Sequence, residues 1–184
     1  EFRRVLFRSW LEFLGLDTYA DVFLNETQIL TADNMFRRWA AEVKPLLKER
    51  GNVLRVYFHS PINKALPQYE SLPYRYEAWN DQADNGGLDG KKLSPFTRKA
   101  GYHYGWDWGP RLVTSGIWRP VKLQGWNELR LEDVFHRQTE VSSEAARVET
   151  QVEIEAAAPV ENAVVTVSDG KRVLEIGRAS CRER

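Results

Sequence analysis

The stretch Arg147-Val148-Glu149-Thr150-Gln151-Val152-Glu153-Ile154-Glu155 decides the fold class. Apolar or β-branched side chains occupy every second position from Val148 to Ile154, and charged or amide side chains occupy the positions between them. A period of two is that of a β-strand with one buried face and one face in water. The stretch therefore predicts a half-buried strand and an all-β protein.

Further strands are predicted on the C-terminal side of this stretch. Residues 163–167 form a second β-rich run after Pro159, and Asp169-Gly170 has the chemistry of a tight hairpin turn. A further strand would begin at Lys171. Residues 127–174 are therefore expected to be the first strands of an immunoglobulin-like β-sandwich that is truncated before it closes.

Residues 10–126 also have the pattern of a β domain. Leu54, Val56 and Phe58 alternate with polar positions, and Ala20, Val22 and Leu24 form a comparable stripe. Short alternating strands of this kind suit an antiparallel jelly-roll sandwich. This part of the chain is expected to be a separate domain.

Residues 34–47 fit two structures, because their apolar positions match a helical face as well as a strand. Pro45 argues against one continuous helix, since proline lacks the N–H donor that the helix interior needs. We expect a strand that ends near Val43, then a single helical turn with Pro45 near its start and Gly51 after its end.

Residues 59–97 are expected to form one long loop. Four prolines and the polar run 80–87 interrupt any regular pattern, and loops of this length in compact domains are often functional. Its tyrosines and Trp79 supply enough aromatic area to pack onto another surface. Packing between domains is the favoured interpretation, ahead of direct contact with a substrate.

The segment Gly105-Trp106-Asp107-Trp108-Gly109-Pro110-Arg111 is the strongest functional signal. Indole faces offer flat apolar area to a pyranose ring, and a fixed carboxylate accepts hydrogen bonds from two neighbouring hydroxyls. The pattern therefore indicates carbohydrate binding. A purely structural interpretation stays open at this point: in an extended strand both tryptophans would share the core face and Asp107 would lie in water.

Longer runs around this segment resemble the β-mannosidases of glycoside hydrolase family 2. One run continues from Arg98 through Arg111 and from Thr114 to Val121, and a second covers Gly15–Asn25 and Asp33–Trp39. The resemblance implies a galactose-binding-like jelly roll over residues 10–126, followed by the start of an immunoglobulin-like domain. It also implies a parent enzyme that removes terminal non-reducing β-D-mannose from oligosaccharides or glycans with retention.

The resemblance also implies a set of residue roles. In the family, two glutamates of a catalytic barrel carry the chemistry, and neither is among these 184 residues, so no catalytic residue is expected here. Trp106 would contact the sugar ring, and Asp107 would accept hydrogen bonds from hydroxyls remote from the cleaved bond. Arg98 would either orient Asp107 or bind the sugar itself, and Trp118 would pack in the core beneath the motif. A stand-alone carbohydrate-binding module and a fragment of another family 2 glycosidase are the alternatives.

Both ends of the chain resemble translated sequencing adapters, at residues 1–9 and 175–184. The whole chain balances 26 basic against 26 acidic residues, but these ends carry six arginines and three glutamates, which leaves 20 against 23 between them. No basic stripe then indicates nucleic acid, and no apolar run approaches the ~20 residues that span a bilayer. The single cysteine, Cys181, lies in the second of these ends. The compartment is not determined: cytoplasm, periplasm and lysosome all fit.

No cofactor or metal is expected. The three histidines, His59, His103 and His136, lack metal-ligand spacing, and the glycines do not form a nucleotide-binding motif. Asp17, Asp21, Asp33 and Glu42 are interpreted as turn, cap or exposed strand residues. The expected partners are a β-mannoside oligosaccharide and the catalytic barrel of the same parent chain, with no nucleic acid and no membrane.

Overall fold

The computed structural model describes residues 8–168, 170–171 and 173–181, the last eight of them and residues 85–86 and 161–163 without their side chains. The prediction of an all-β protein is confirmed, because strands dominate and the described residues contain a single α-helix. The strands are β1 Arg8–Phe13, β2 Leu16–Asp17, β3 Tyr19–Leu24, β4 Thr27–Asp33, β5 Trp39–Glu42, β6 Leu54–Phe58, β7 Gly116–Ile117, β8 Val121–Trp126, β9 Leu129–Val141, β10 Ala146–Ala156, β11 Val160–Ser168 and β12 Val173–Cys181.

The chain separates into two compact units, and the first comprises Ser9–Gln124. Its strands form two three-stranded sheets, in the orders β5-β1-β8 and β4-β3-β6, and the short pair β2-β7. The stripe predicted on β3 is confirmed, since Ala20, Val22 and Leu24 are all buried. They share one hydrophobic core with Leu11 and Phe13 of β1 in the other sheet and with Val43 and Leu47, which flank the 3-10 turn after β5.

Residues 34–47, whose pattern fitted both a helix and a strand, have the structure that was predicted. Strand β5 ends at Glu42, and a short 3-10 turn follows at Lys44–Leu46 with Pro45 in its first positions. Val43, between the two, is fully buried in the core. A proline near the start of a helical turn loses no hydrogen bond, which explains why this position tolerates it.

The prediction of one long loop over residues 59–97 is wrong, because helix α1 spans Pro61–Ser71. Ser60 caps its N-terminus, with Oγ accepting a hydrogen bond from the Asn63 N–H at 3.3 Å, and Pro61 occupies the first turn. Serine followed by proline is a helix-start signal. Pro67 lies inside the helix and masks that signal in the sequence.

Tertiary packing explains how α1 forms in spite of Pro67. Its buried residue Ala65 belongs to a second hydrophobic cluster with Leu93 and Tyr104, and its half-buried side chains Ile62, Leu66 and Tyr69 pack against that cluster. Burial of an apolar helix face supplies most of the stability of short helices in proteins. The rest of the region, residues 72–97, is irregular apart from 3-10 turns at Ala83–Gly86 and Ser94–Phe96.

The second unit begins at Gly125 and contains two antiparallel hairpins, β9-β10 and β11-β12. The predicted strand at 147–155 is confirmed within β10, where Val152 pairs with Val134 and Ile154 with Leu131. Val148 is the exception to its half-buried face, with 49% of its surface exposed. Among the described residues the two hairpins do not join into a closed sandwich.

Parts of several predicted segments lie outside the described residues. Asp169 of the predicted hairpin turn is one of them, although β11 ends at Ser168, β12 begins at Val173 and Gly170 has a φ of +86°. Residues 1–7 and 182–184 of the two adapter-like ends also lie outside. The backbone of residues 175–181 forms most of β12.

Candidate functional site

The Trp-Asp-Trp segment forms a tight reverse turn. The N–H of Trp106 donates to the carbonyl oxygen of Gly109 at 3.2 Å, and the N–H of Gly109 donates to the carbonyl oxygen of Trp106 at 3.3 Å. Two reciprocal backbone bonds leave only two residues between them, as in a two-residue hairpin loop. Asp107 and Trp108 therefore lie at the tip of the turn, and the segment is not the extended strand of the alternative interpretation.

All three side chains of this turn face water. Trp106 is 44% exposed and Trp108 is 85% exposed, and Asp107 is also exposed. Within the part of the chain that the structure describes, the Asp107 carboxylate makes no hydrogen bond and no ion pair. Both of its oxygens are thus free to accept hydrogen bonds from a ligand, and each indole offers apolar surface next to them.

A buried ion pair supports the C-terminal side of the turn. Nε of Arg111 lies 3.4 Å from Oδ1 of Asp81, and the two side chains are 8% and 0% exposed. Asp81 also accepts the backbone N–H groups of Leu93 at 2.8 Å and Ser94 at 2.9 Å. The Arg111 guanidinium lies over the ring of Tyr104, 5.5 Å from its centroid. A carboxylate with three donors and a buried position is a rigid anchor for this end of the turn.

The N-terminal side of the turn is held by close backbone packing. Gly105 has a φ of +101°, and the position a Cβ would occupy there is 2.5 Å from Cγ of Gln82. The N–H of Gln82 donates to the carbonyl oxygen of Tyr104 at 2.9 Å. Only glycine combines this backbone angle with so close a neighbour. Burial raises the pKa of the neighbouring Tyr104 to about 12, so its phenol is neutral at physiological pH.

A second buried ion pair lies at the base of the loop of residues 99–114, which carries the turn. The sequence patterns did not predict this pair. Nζ of Lys99 donates to Oδ2 of Asp17 at 2.5 Å and to the carbonyl oxygen of Thr114 at 2.7 Å. Burial lowers the pKa of Lys99, although the hydrogen bond to Asp17 acts in the opposite direction. Asp17 is therefore a buried strand residue paired with Lys99, and its interpretation as a turn, cap or exposed strand residue is wrong. Residues 82 positions apart make this contact, so no local pattern could have revealed it.

His103 and Trp118 lie beside this ion pair. Nε2 of His103 is 3.8 Å from Oδ2 of Asp17, and both aromatic residues line a pocket of about 210 Å³ that Asp17 also borders. The indole N–H of Trp118 donates to the carbonyl oxygen of Met35 at 3.0 Å, and the ring packs against Gly15. The expectation that Trp118 is a core residue is wrong, because 41% of its surface is exposed.

Arg98 makes no hydrogen bond or ion pair with the turn among the described residues. Its carbonyl oxygen accepts the N–H of Met35 at 3.0 Å, next to the end of β4, and its side chain lines a groove of about 920 Å³ that neither Trp106 nor Asp107 borders. No hydrogen bond or ion pair joins Arg98 to Asp107 in the described chain. The structure thus unites Trp106 and Asp107 in one turn, and Arg98 borders a groove that neither of them lines.

Neither a metal site nor a membrane-spanning helix occurs among the described residues. No group of three or more histidine, cysteine, aspartate or glutamate side chains is arranged to hold a metal ion there. No helix within that part of the chain has the length and apolar character needed to cross a membrane.

Comparison with known proteins gives one family and several relatives. Residues 5–119 match the model of the glycosyl hydrolase 2 galactose-binding domain-like family. The chain is similar to β-mannosidase B of Thermothelomyces thermophilus, with 43% identity over 129 residues that are 70% of this chain and 14% of that protein. It is also similar to β-mannosidase B of Aspergillus flavus, with 35% identity over 156 residues, 83% of this chain and 17% of that protein.

A solved structure agrees with these relatives. The crystal structure of β-D-mannosidase from Dictyoglomus thermophilum superimposes with a TM-score of 0.78 and 34% sequence identity, over 99% of this chain and 21% of that one. The prediction of a galactose-binding-like β-sandwich is therefore confirmed. The chain spans between about a seventh and a fifth of the length of these relatives.

Proposed function

The chain belongs to the glycosyl hydrolase 2 galactose-binding domain-like family, and we propose that it is the non-catalytic N-terminal part of a retaining exo-β-mannosidase. Such an enzyme would hydrolyse terminal non-reducing β-D-mannose from oligosaccharides or glycans. The relatives that support this proposal carry the name β-mannosidase, and this chain matches only a small part of each of them. The barrel that would complete the enzyme belongs to the rest of the parent chain.

The turn at Trp106–Gly109 is the observation that carries the proposal. Among the described residues it presents an exposed carboxylate without an intramolecular partner, between two exposed indoles, on a support made rigid by the Arg111–Asp81 pair. In the parent, Asp107 would accept hydrogen bonds from two sugar hydroxyls and Trp106 would contact the ring. A charged acceptor carried by a backbone turn that is fixed in advance loses less entropy on binding than one on a mobile segment.

Contacts of this kind act on catalysis without touching the bond that breaks. Binding energy from remote parts of a substrate can lower the barrier when it is realised more fully in the transition state. Two barrel carboxylates would perform the double displacement with retention. The 184 residues would then supply substrate positioning, and the chain alone would not hydrolyse a β-mannoside.

The proposed domain boundaries follow the sequence patterns. Residues 10–126 would be the sugar-binding domain and residues 127–174 the first strands of an immunoglobulin-like sandwich. Residues 1–9 and 175–184 would be translated adapter sequence. The two hairpins of the second unit and their alternating pattern support the assignment of the second domain.

Kinetics of the full-length parent test the proposal. We expect Asp107→Ala to lower kcat/KM on a β-mannoside by about tenfold or more, because a hydrogen bond to a charged group is worth roughly 1.5–3 kcal/mol. Asp33→Ala is the matched control, since Asp33 is an exposed aspartate of β4, and it should leave kcat/KM unchanged. Equal kinetics in the Asp107→Ala variant and the unmodified parent would contradict the assignment.

A further inference from the structure

The groove that Arg98 borders is a large concave surface of the first unit. Its walls come from four places: the residues that follow β4, the last turn of α1 with Leu72 after it, Tyr76, and residues 95–99. Its volume of about 920 Å³ lies in the range of sites that bind small organic ligands. The function proposed above makes no use of it.

Two aromatic rings are exposed in this groove. Phe36 is 61% exposed and Tyr76 is 47% exposed. Tyr76 is held in place by an edge contact with Phe96, at 5.6 Å between ring centroids, and by a hydrogen bond of 3.1 Å between its hydroxyl and that of Tyr74. A ring that is fixed before binding offers apolar area at a low cost in conformational entropy.

Polar groups with unused hydrogen-bonding capacity lie beside these rings. The side chains of Arg98 and Gln68 have no hydrogen bond or ion pair among the described residues. Asn34 accepts the N–H of Phe36 on Oδ1 at 2.9 Å, which orients its side-chain amide and leaves the NH₂ group as a donor. Lys99 also borders the groove, but its ammonium is committed to Asp17. None of the described residues that line the groove is acidic.

We propose that this groove is a second carbohydrate-binding site, separate from the turn at Trp106–Gly109. Sugar rings present an apolar C–H face and a rim of hydroxyl oxygens, and the groove offers the complement of both. The C–H faces would pack on Phe36 and Tyr76, and the hydroxyl oxygens would accept hydrogen bonds from Arg98, Asn34 and Gln68. The ligand class is a neutral oligosaccharide of several sugar units, which fits the volume of the groove and its mixture of aromatic and amide groups.

Backbone contacts keep the two sides of the groove together. Asn34 and Arg98 form a parallel β-bridge, and the N–H of Ala100 contacts Sδ of Met35 at 3.0 Å. The backbones of Asn34 and Arg98 therefore have a defined separation before a ligand arrives. Preorganisation of this kind is what distinguishes a binding site from an incidental surface depression.

Nitrogen-15 NMR of this 184-residue chain tests the proposal with β-1,4-linked mannotetraose as the probe. We expect amide shifts that titrate at residues 34–36, 68–76 and 96–99. Arg98→Ala should raise the dissociation constant obtained from these shifts by about tenfold or more. Phe36→Ala should raise it as well. Arg50→Ala, which removes an exposed arginine elsewhere in the first unit, should leave it unchanged.

The outcomes also separate this proposal from the proposed function. Asp107→Ala should leave the groove shifts intact. If the unmodified chain shows the groove shifts but none at residues 106–108, the result counts against the sugar-binding turn and not against the groove. Shifts confined to 106–108, or no shifts at millimolar mannotetraose, would overturn the groove as a carbohydrate site. The same surface would then be assigned to contact with the rest of the parent chain.

Discussion

The ammonium group of Lys99 is bonded at once to the carboxylate of Asp17 on β2 and to the carbonyl oxygen of Thr114, at 2.5 and 2.7 Å. Residues 99 and 114 are the two ends of the loop whose tip is the Trp-Asp-Trp turn. One buried cation therefore closes the loop at its base and attaches it to the sheet. The side chains of Lys99 and Asp17 are 0% and 6% exposed, so water does not compete for these bonds.

Loss of the Lys99 ammonium should destabilise the first unit strongly. Lys99→Met keeps most of the apolar stem but leaves the Asp17 carboxylate buried without its cation. Breaking a buried pair on one side typically costs about 3–5 kcal/mol. Urea denaturation of the chain and of the variant, followed by tryptophan fluorescence, measures the difference in the free energy of unfolding.

The double variant Lys99→Met, Asp17→Leu is the control for this prediction. Replacing both partners removes the unpaired charge, so a large part of the lost stability should return. A cost below about 1 kcal/mol for Lys99→Met alone would show that the pair is not a structural anchor. Equal stability of the single and double variants would count against the electrostatic explanation.

Tyr104→Phe should change how stability depends on alkaline pH. Burial raises the pKa of Tyr104 from 10.0 to about 12, so the folded chain holds this proton more tightly than the unfolded chain. Its contribution to stability is fully present below pH 10 and is lost as the pH rises through 12. The shift corresponds to roughly 2–3 kcal/mol. The Tyr104→Phe variant should not show this part of the loss of stability at alkaline pH.

Denaturation curves at about pH 9 and about pH 11–12 measure this effect as a difference between the two proteins. Tyr57→Phe is the matched control, because Tyr57 is 58% exposed. The control should lose stability with pH as the unmodified chain does. Parallel curves for Tyr104→Phe and the unmodified chain would show that Tyr104 ionises at its ordinary pH in the folded state.

The strands of this chain could be predicted because their patterns are local. The alternation in β3 and β10 reports directly which face is buried, and the turn at Lys44–Leu46 follows from Pro45. Helix α1 could not be predicted with the same rule. Its apolar residues face a cluster formed by Leu93 and Tyr104, which lie far along the chain, and Pro67 conceals its helical pattern.

The candidate site also combines features that a local sequence pattern predicts with features that depend on residues far along the chain. The composition of the Trp-Asp-Trp segment indicates carbohydrate, but its shape as a turn depends on Gly105 and on bonds to Gln82 and Asp81. Arg98 is only nine positions from Asp107 in sequence, yet it borders a groove that Asp107 does not line. Proximity in sequence therefore suggested Arg98 as a partner of Asp107, but no contact among the described residues supports this pairing.

Pro67→Ala should stabilise the chain. Proline in a helix interior is roughly 3 kcal/mol less favourable than alanine, since it lacks the N–H that would bond one turn back. Pro67 is exposed, so its replacement leaves the core intact. The greater freedom of the unfolded variant offsets about 0.4–1 kcal/mol of this, so a net gain of about 2–2.6 kcal/mol is expected in urea denaturation. A loss of stability would indicate that the helix is adapted to the proline kink.

Gly105→Ala should both destabilise the chain and displace the sugar-binding turn. The φ of +101° is costly for any residue with a Cβ, at about 1–3 kcal/mol. The new Cβ would also lie 2.5 Å from Cγ and 2.9 Å from Cβ of Gln82, so Gln82 or the turn has to move. Gly51→Ala is the matched control, since Gly51 has a φ of +66° and no described atom lies within 4 Å of the position its Cβ would take. The control should show the cost of a positive φ without the steric conflict, and a Gly105→Ala variant no less stable than Gly51→Ala would disprove the close packing against Gln82.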